Sequence, residues 1–254
     1  MTDRASRKSN GQPGRVRTVL ITGATDGIGL LLARAYAGRG HNVLATGRRV
    51  LADDQDLFDA PNIVYICADQ SDPVHACSAI ISAMQNMGWQ HLDLAILNGA
   101  TAWVGLPEQE PANGMKQLLD VNFRFQIHLA HALAPFLFEA AGRLVMIGST
   151  ATKKAQGRFA TYTATKAGLD GLCRSLREEW LGRADVQIIH PGPTRTNMHA
   201  KAGLNIGLAK WFFMSPLRVA SAIQYAIRRR DKRRVITRYF AFKARFSSAR
   251  EGIL

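Results

Sequence analysis

Cysteine is scarce. Three occur in 254 residues, an odd number with no paired metal-ligand spacing, which argues against a disulfide framework or a structural zinc site. Cys67, Cys77 and Cys173 are therefore expected to be reduced core residues, Cys67 within an apolar strand-like run. Long apolar runs are also lacking: no stretch of about 18 such residues could cross a membrane. Near the N-terminus no basic start leads into an apolar stretch and a cleavage site, so a cytoplasmic protein is expected. Internal repeats and low-complexity blocks are missing too, which leaves one domain as the expectation.

Acidic residues are in deficit, 19 against 33 Lys and Arg. A net charge of +14 ordinarily raises nucleic acid as a partner, but its distribution argues otherwise. Residues 1–17 carry five basic groups against Asp3, and residues 228–250 carry ten against Asp231. The body between them is nearly neutral, whereas a nucleic-acid-binding protein would spread its basic residues over the folded face.

Hydrophobic residues make up 47% of the chain, ample for a buried core. They fall in short, nearly continuous runs at 18–22, 42–46, 63–67, 92–97, 143–147 and 186–190, with a weaker one at 234–237. Helix-length segments separate them. Strands buried on both faces of a parallel sheet require such runs. The expected fold is α/β: a single-domain, Rossmann-like, doubly wound parallel sheet with helices on both faces. Residues 1–17 read as a disordered basic leader, 18–237 as the catalytic domain and 238–254 as a basic, aromatic C-terminal tail. Residues 197–214 mix glycines with apolar and aromatic side chains, Met198 and Trp211 among them, and suit a mobile apolar flap.

The first run leads into Gly23, Thr25, Asp26, Gly27, Ile28 and Gly29 and then a helical pattern. Strand, glycine-rich turn and helix N-terminus in that order bring backbone N–H groups and the positive end of a helix dipole against a pyrophosphate. The glycines would allow the tight turn, close phosphate approach and close helix packing. After the second run, where an acidic residue would hold a ribose 2′-hydroxyl, Gly47 is followed by Arg48 and Arg49. Guanidinium groups bind a 2′-phosphate by charge-assisted hydrogen bonds, so the cofactor expected is NADP(H). Asp69 and Asn98 follow the third and fourth runs at positions that could face adenine or ribose.

Together with Leu97-Asn98-Gly99-Ala100, Asn122, Ser149, Tyr162-x-x-x-Lys166 and Pro191-Gly192-Pro193-Thr194, the glycine turn resembles the short-chain dehydrogenase/reductase family over residues 18–237. The resemblance implies an active-site tetrad of Asn122, Ser149, Tyr162 and Lys166, with Asn122 holding a water in a proton relay. It also implies contacts of Pro191, Gly192, Thr194 and Thr196 with the nicotinamide end, and a homodimer or homotetramer. The fourth-strand motif departs from the family's Asn-Asn-Ala-Gly, which puts local hydrogen bonding in doubt. The residues agree with that mapping. Tyr162 and Lys166, four apart on a helix, project from one face. A nearby ammonium would lower the phenol pKa from about 10, making Tyr162 an acid/base that shares with Lys166 the nicotinamide side of the site. Ser149 would polarise the substrate oxygen.

Trp103, Val104, Met198 and Trp211 would line an apolar substrate pocket beside Ser149 and Tyr162. The expected reaction is hydride transfer between nicotinamide and the carbonyl or secondary-alcohol carbon of a hydrophobic small molecule. Lys153, Lys154 and Arg158 read either as a solvated loop or as attractors of an acidic substrate group. The basic, aromatic tail suits peripheral contact with an anionic membrane and a lipid-like substrate, or packing on its own subunit. A non-catalytic NADP(H)-binding regulator would lack the tyrosine or the lysine, and this sequence keeps both. No metal ligand set is read.

Overall fold

The structure, a computed structural model, describes residues 16–51, 57, 58, 60–153, 157–196 and 213–250, the last six as backbone only. Seven strands form one parallel sheet in the order β3-β2-β1-β4-β5-β6-β7. They are β1 Thr18–Thr22, β2 Asn42–Gly47, β3 Ile63–Cys67, β4 Leu94–Leu97, β5 Arg143–Ile147, β6 Asp185–Pro191 and β7 Arg233–Ile236. The helices are α1 Gly27–Ala37, α2 Pro73–Asn86, α3 Ala112–Leu119, α4 Phe125–Glu139, α5 Ala160–Glu179, α6 Pro216–Arg228 and α7 Arg238–Arg250.

Alternation along each strand divides the core. Val19 and Ile21 of β1 point into one layer with Leu32, Ala33, Val219 and Ile223, whereas Leu20 points into the other with Ile80, Phe125, Leu129 and Leu169. Helices α1, α6 and α7 therefore cover one face and α2, α4 and α5 the other. Strand β3 is the edge, and Val64 on it is 42% exposed. Cys67 at its end is exposed rather than in the core, because an edge strand has a neighbour on one side only. Cys77 and Cys173 are buried.

One further reading changes, and the tail takes the second of its two readings, packing on its own subunit. The long helical pattern between Met115 and Phe138 is broken by a π turn, Asp120–Arg124, between α3 and α4. Residues from 238 on start a helix that packs on α6: Ala241 and Ala244 are buried and the Tyr225 and Phe240 rings lie 5.7 Å apart. Thr237 caps it, its Oγ1 accepting from the Phe240 N–H at 3.1 Å. The leader and most of the flap lie outside the described residues.

Because all strands are parallel, their C-terminal ends share one edge, and the chain's winding reverses between β1 and β4. A crevice opens at such a switch point.

Candidate active site

At that crevice β1 ends in Thr22 and the chain turns into α1. Gly23 and Gly27 have φ of 63° and 53°, in the left-handed region that glycine enters without strain. A Cβ on Gly29 would stand 2.1 Å from the Gly23 carbonyl oxygen, so α1 packs closer on the turn than any side chain permits. Asp26 caps the helix, its Oδ1 accepting from the Gly27 N–H at 2.6 Å. Thr25 and Ile28 flank the turn half-buried, and the Thr196 methyl faces Gly27. The arrangement is an anion cradle at a helix N-terminus.

Asn98, read as a residue that could face the cofactor, shapes this cradle. Its Nδ2 donates to the carbonyls of Thr22 and Gly23, both at 3.2 Å, so both amide donors are committed to the turn. Thr22 Oγ1 in return accepts from the N–H groups of Asn98 and Gly99. Beside the cradle, Arg48 and Arg49 are exposed at the end of β2. The Arg49 guanidinium donates to the Thr25 carbonyl, and the Arg49 carbonyl accepts from the Tyr65 hydroxyl at 2.6 Å. Burial pushes the Tyr65 pKa up to about 12, which keeps that hydroxyl a donor. Arg48 is thus the more available partner for an anion. Asp69 is exposed after β3 and accepts from the Ser71 N–H at 3.0 Å.

The chemical groups gather at the ends of β5 and β6. Ser149 lies two residues past β5, and Tyr162 and Lys166 lie one turn apart on α5, both buried. The Ser149 side chain faces the Tyr162 phenol closely enough to lower its pKa. Lys166 Nζ is 6.0 Å from the Tyr162 ring centre and donates to the Ile147 carbonyl at 2.9 Å. Burial raises the Tyr162 pKa, with Ser149 pulling it back, and lowers that of Lys166 to about 8. The expected depression of the phenol by a close ammonium is therefore not found. Loss of water disfavours both charged forms, and the ammonium has turned to a backbone carbonyl.

Asn122 sits on the π turn, where the extra residue per turn aims it away from the helix surface. Its Oδ1 accepts from the Thr101 N–H and its Nδ2 donates to the Thr101 carbonyl, each at 2.8 Å. Asn122 so pins the loop after β4, which holds Trp103 and Val104, both half-buried. The Gly105 N–H donates to the Arg158 carbonyl just before α5, which brings that loop beside the entry to Tyr162's helix. On the other side, Pro191 ends β6 and Gly192 follows it. Thr194 pairs with Met214, and the Arg195 N–H donates to the Met214 carbonyl at 2.9 Å, closing the two ends of the flap on each other. Met198 and Trp211 lie outside the described residues.

Sequence reasoning missed Thr22, Tyr65 and Thr101, whose parts follow from partners distant in the chain. It also passed over His190, fully buried, whose Nδ1 is 3.1 Å from the Ser149 carbonyl oxygen. A histidine at the end of the apolar run 186–190 was a signal available for it.

Three comparisons bear on the site. A family profile described as short chain dehydrogenase matches residues 17–206. The chain is similar to 11-beta-hydroxysteroid dehydrogenase 1A of Arabidopsis thaliana, 31% identical over 182 residues that cover 69% of this chain and 52% of that protein. The chain thus spans about half the length of the curated relatives it matches first. It is also similar to the oxidoreductase YciK of Escherichia coli strain K12, 27% identical over 73% of this chain and 77% of that one. Among solved structures, a short-chain dehydrogenase from Sphingobium yanoikuyae in complex with NADPH superposes with a TM-score of 0.75 at 26% identity. It covers 94% of this chain and 95% of that one.

Proposed function

The chain belongs to the short-chain dehydrogenase family, and from that premise we propose that it is an NADP(H)-dependent oxidoreductase of a hydrophobic ketone, aldehyde or secondary alcohol. The observation that carries the proposal is the buried Tyr162, beside Ser149 and one turn from Lys166, at the same sheet edge as the glycine cradle. The cradle fits a dinucleotide: Gly23 and Gly27 allow the left-handed turn, Gly29 lets α1 pack close on it, and a pyrophosphate would meet the N-terminus of α1. Arg48 stands where a 2′-phosphate would need a cation. An NADPH-bound relative at 26% identity supports the same cofactor.

When bound, the nicotinamide supplies or accepts the hydride. The chain supplies the proton. In the reductive direction the Ser149 hydroxyl holds the carbonyl oxygen, and Tyr162, kept protonated by burial, gives its proton to that oxygen as charge develops there. Lys166 shares the turn of helix with the phenolate so formed and stabilises it as an ammonium. Asn122 keeps the loop of Trp103 and Val104 closed against α5, which limits water at the reacting carbon. A small-molecule substrate and a homodimer or homotetramer belong to the same reading.

Screening NADPH oxidation against hydrophobic ketones and aldehydes tests it. Tyr162→Phe is expected to lose at least about a hundredfold in kcat while binding NADPH as wild type does. Arg48→Ala is expected to weaken NADPH binding by about tenfold or more and leave NADH binding nearly unchanged. Full turnover in Tyr162→Phe would sink the mechanism, and preference for NADH in wild type would sink the cofactor assignment.

A second reading adds a membrane. Tyr239 and Phe242 are 75% and 61% exposed on α7, one turn apart, among the exposed Arg238, Lys243 and Arg228–Arg230. Aromatic rings beside cations suit an anionic bilayer surface and delivery of a lipid-like substrate to the flap. Among the described residues no helix is long and apolar enough to cross a membrane.

A further inference from the structure

His190 is the last but one residue of β6 and is wholly buried, although an imidazole is a poor filler for an apolar layer. Its surroundings are specific. Nδ1 lies 3.1 Å from the Ser149 carbonyl oxygen. A carbonyl only accepts, so Nδ1 carries a proton. Nε2 lies 3.2 Å from Asp170 Oδ1 but off the line that a hydrogen bond needs. Asp170 stands on α5, one turn beyond Lys166, and is held bidentately by Arg233 of β7, with both N–O distances at 3.0 Å. Contact with β5 is tight: a Cβ on Gly148 would stand 2.6 Å from His190 Nδ1, so only glycine lets the ring lie under the strand end.

These bonds fall on three consecutive residues. The Ile147 carbonyl accepts from Lys166, the Gly148 N–H donates to the Ile189 carbonyl at 2.8 Å, and the Ser149 carbonyl accepts from His190 and from Thr152 Oγ1 at 2.9 Å. Ser149 lies past the last ladder pairing of β5 and outside any helix, so without these bonds its backbone would be free to drift. The Ser149 hydroxyl has to meet both the Tyr162 phenol and a substrate oxygen, and misplacement by about 1 Å costs about a hundredfold in rate.

We propose that His190 is a positioning residue for Ser149: its Nδ1–H holds the Ser149 carbonyl, and the close contact with Gly148 seats the ring under the strand end. Through that bond β6 sets the height of one hydroxyl past the end of β5. The proposal rests on Ser149 and Tyr162 acting as described above.

Two side chains separate the nitrogens. Asparagine can place its amide donor where Nδ1 stands, and glutamine reaches only the Nε2 side. With 9,10-phenanthrenequinone as the carbonyl probe and NADPH as reductant, His190→Gln is expected to lose about tenfold or more in kcat with an unchanged KM for NADPH. His190→Asn should restore most of it. Equal kcat in His190→Gln and wild type, or equal loss in both variants with unchanged thermal stability, would overturn the proposal. Nitrogen NMR of the full chain labelled with ¹⁵N-histidine reads the ring without turnover: the His190 signals, identified by their loss in His190→Asn, should show a protonated Nδ1. A ring protonated at Nε2 alone would refute the hydrogen bond to Ser149. If no carbonyl tested supports NADPH oxidation by wild type, the functional reading fails, while the NMR result still decides the positioning.

Discussion

The Lys166 ammonium sits where water does not reach it, and burial brings its pKa from 10.5 to about 8. In the unfolded chain it titrates near 10.4. Below pH 8 both states carry the proton, so the folded state bears the whole penalty, roughly 3 kcal/mol for a difference of more than two units. Between pH 8 and about 10.5 the unfolded chain binds more protons than the folded one, so the penalty shrinks as pH rises through that window. Replacing Lys166 by Met should therefore stabilise the protein at pH 7, by about 2 kcal/mol once the lost bond to the Ile147 carbonyl is set against the relief. The gain should fade by pH 10.5, and turnover should vanish at both. Urea denaturation at the two pH values measures this, and a less stable variant at pH 7 would contradict it. The places of Tyr162 and Lys166 one turn apart on a helix and of Ser149 past a strand end were legible, because both are local, whereas their roles came from the resemblance to the family and not from spacing. The Asn122–Thr101 clamp was not legible, since it joins residues 21 apart through backbone atoms that any sequence has.

Among the elements, the strands were the most readable, because a parallel sheet covered on both faces demands continuous apolar runs. Their ends and the edge were less so: β3 keeps the apolar run yet exposes Val64 and Cys67, which periodicity alone cannot show. The π turn was hidden for a similar reason, as Val121 and Phe123 carry the helical pattern on while the backbone gains a residue per turn. Its Asp120 is buried between Lys116 and Arg124, each one turn away at 2.6 and 2.5 Å, so its charge is compensated within the same helical stretch. At the junction of β1 and α1 the three glycines are not equivalent. Gly23 and Gly27 are required by φ, but Gly29 has ordinary helical backbone and is required by distance. Gly29→Ala should thus fold with a displaced α1, losing about 1–3 kcal/mol of stability and at least about tenfold in NADPH affinity. Fluorescence titration with NADPH beside a melting curve measures both. Wild-type affinity in this variant would mean that the cradle does not hold the pyrophosphate.

For the whole molecule the sequence suggested a neutral body with basic ends, and the structure draws the second boundary differently. Helix α7 completes the layer over α6: Ala241 and Ala244 belong to the same core cluster as Val219 and Ile223, and the Arg234 guanidinium lies 4.8 Å from the Phe240 ring centre. A charge count could not reveal this, because among the described residues of α7 the inward ones are two alanines and one phenylalanine beside cations. Cutting the chain after Thr237 would therefore expose an apolar face of α6, not trim a tail. Such a truncation should lower stability by several kcal/mol, on the scale of deleting a buried aromatic side chain together with its helix, and should promote association. It would reduce membrane binding for reasons of folding alone. The membrane reading calls for Tyr239→Ser with Phe242→Ser, which leave Phe240, Ala241 and Ala244 in place. This pair should melt within a few degrees of wild type yet lose most co-sedimentation with vesicles containing anionic lipid at physiological salt. Binding that survives the pair but falls steeply with salt would assign the contact to the basic residues alone, and no binding by wild type would remove the membrane from the proposed function.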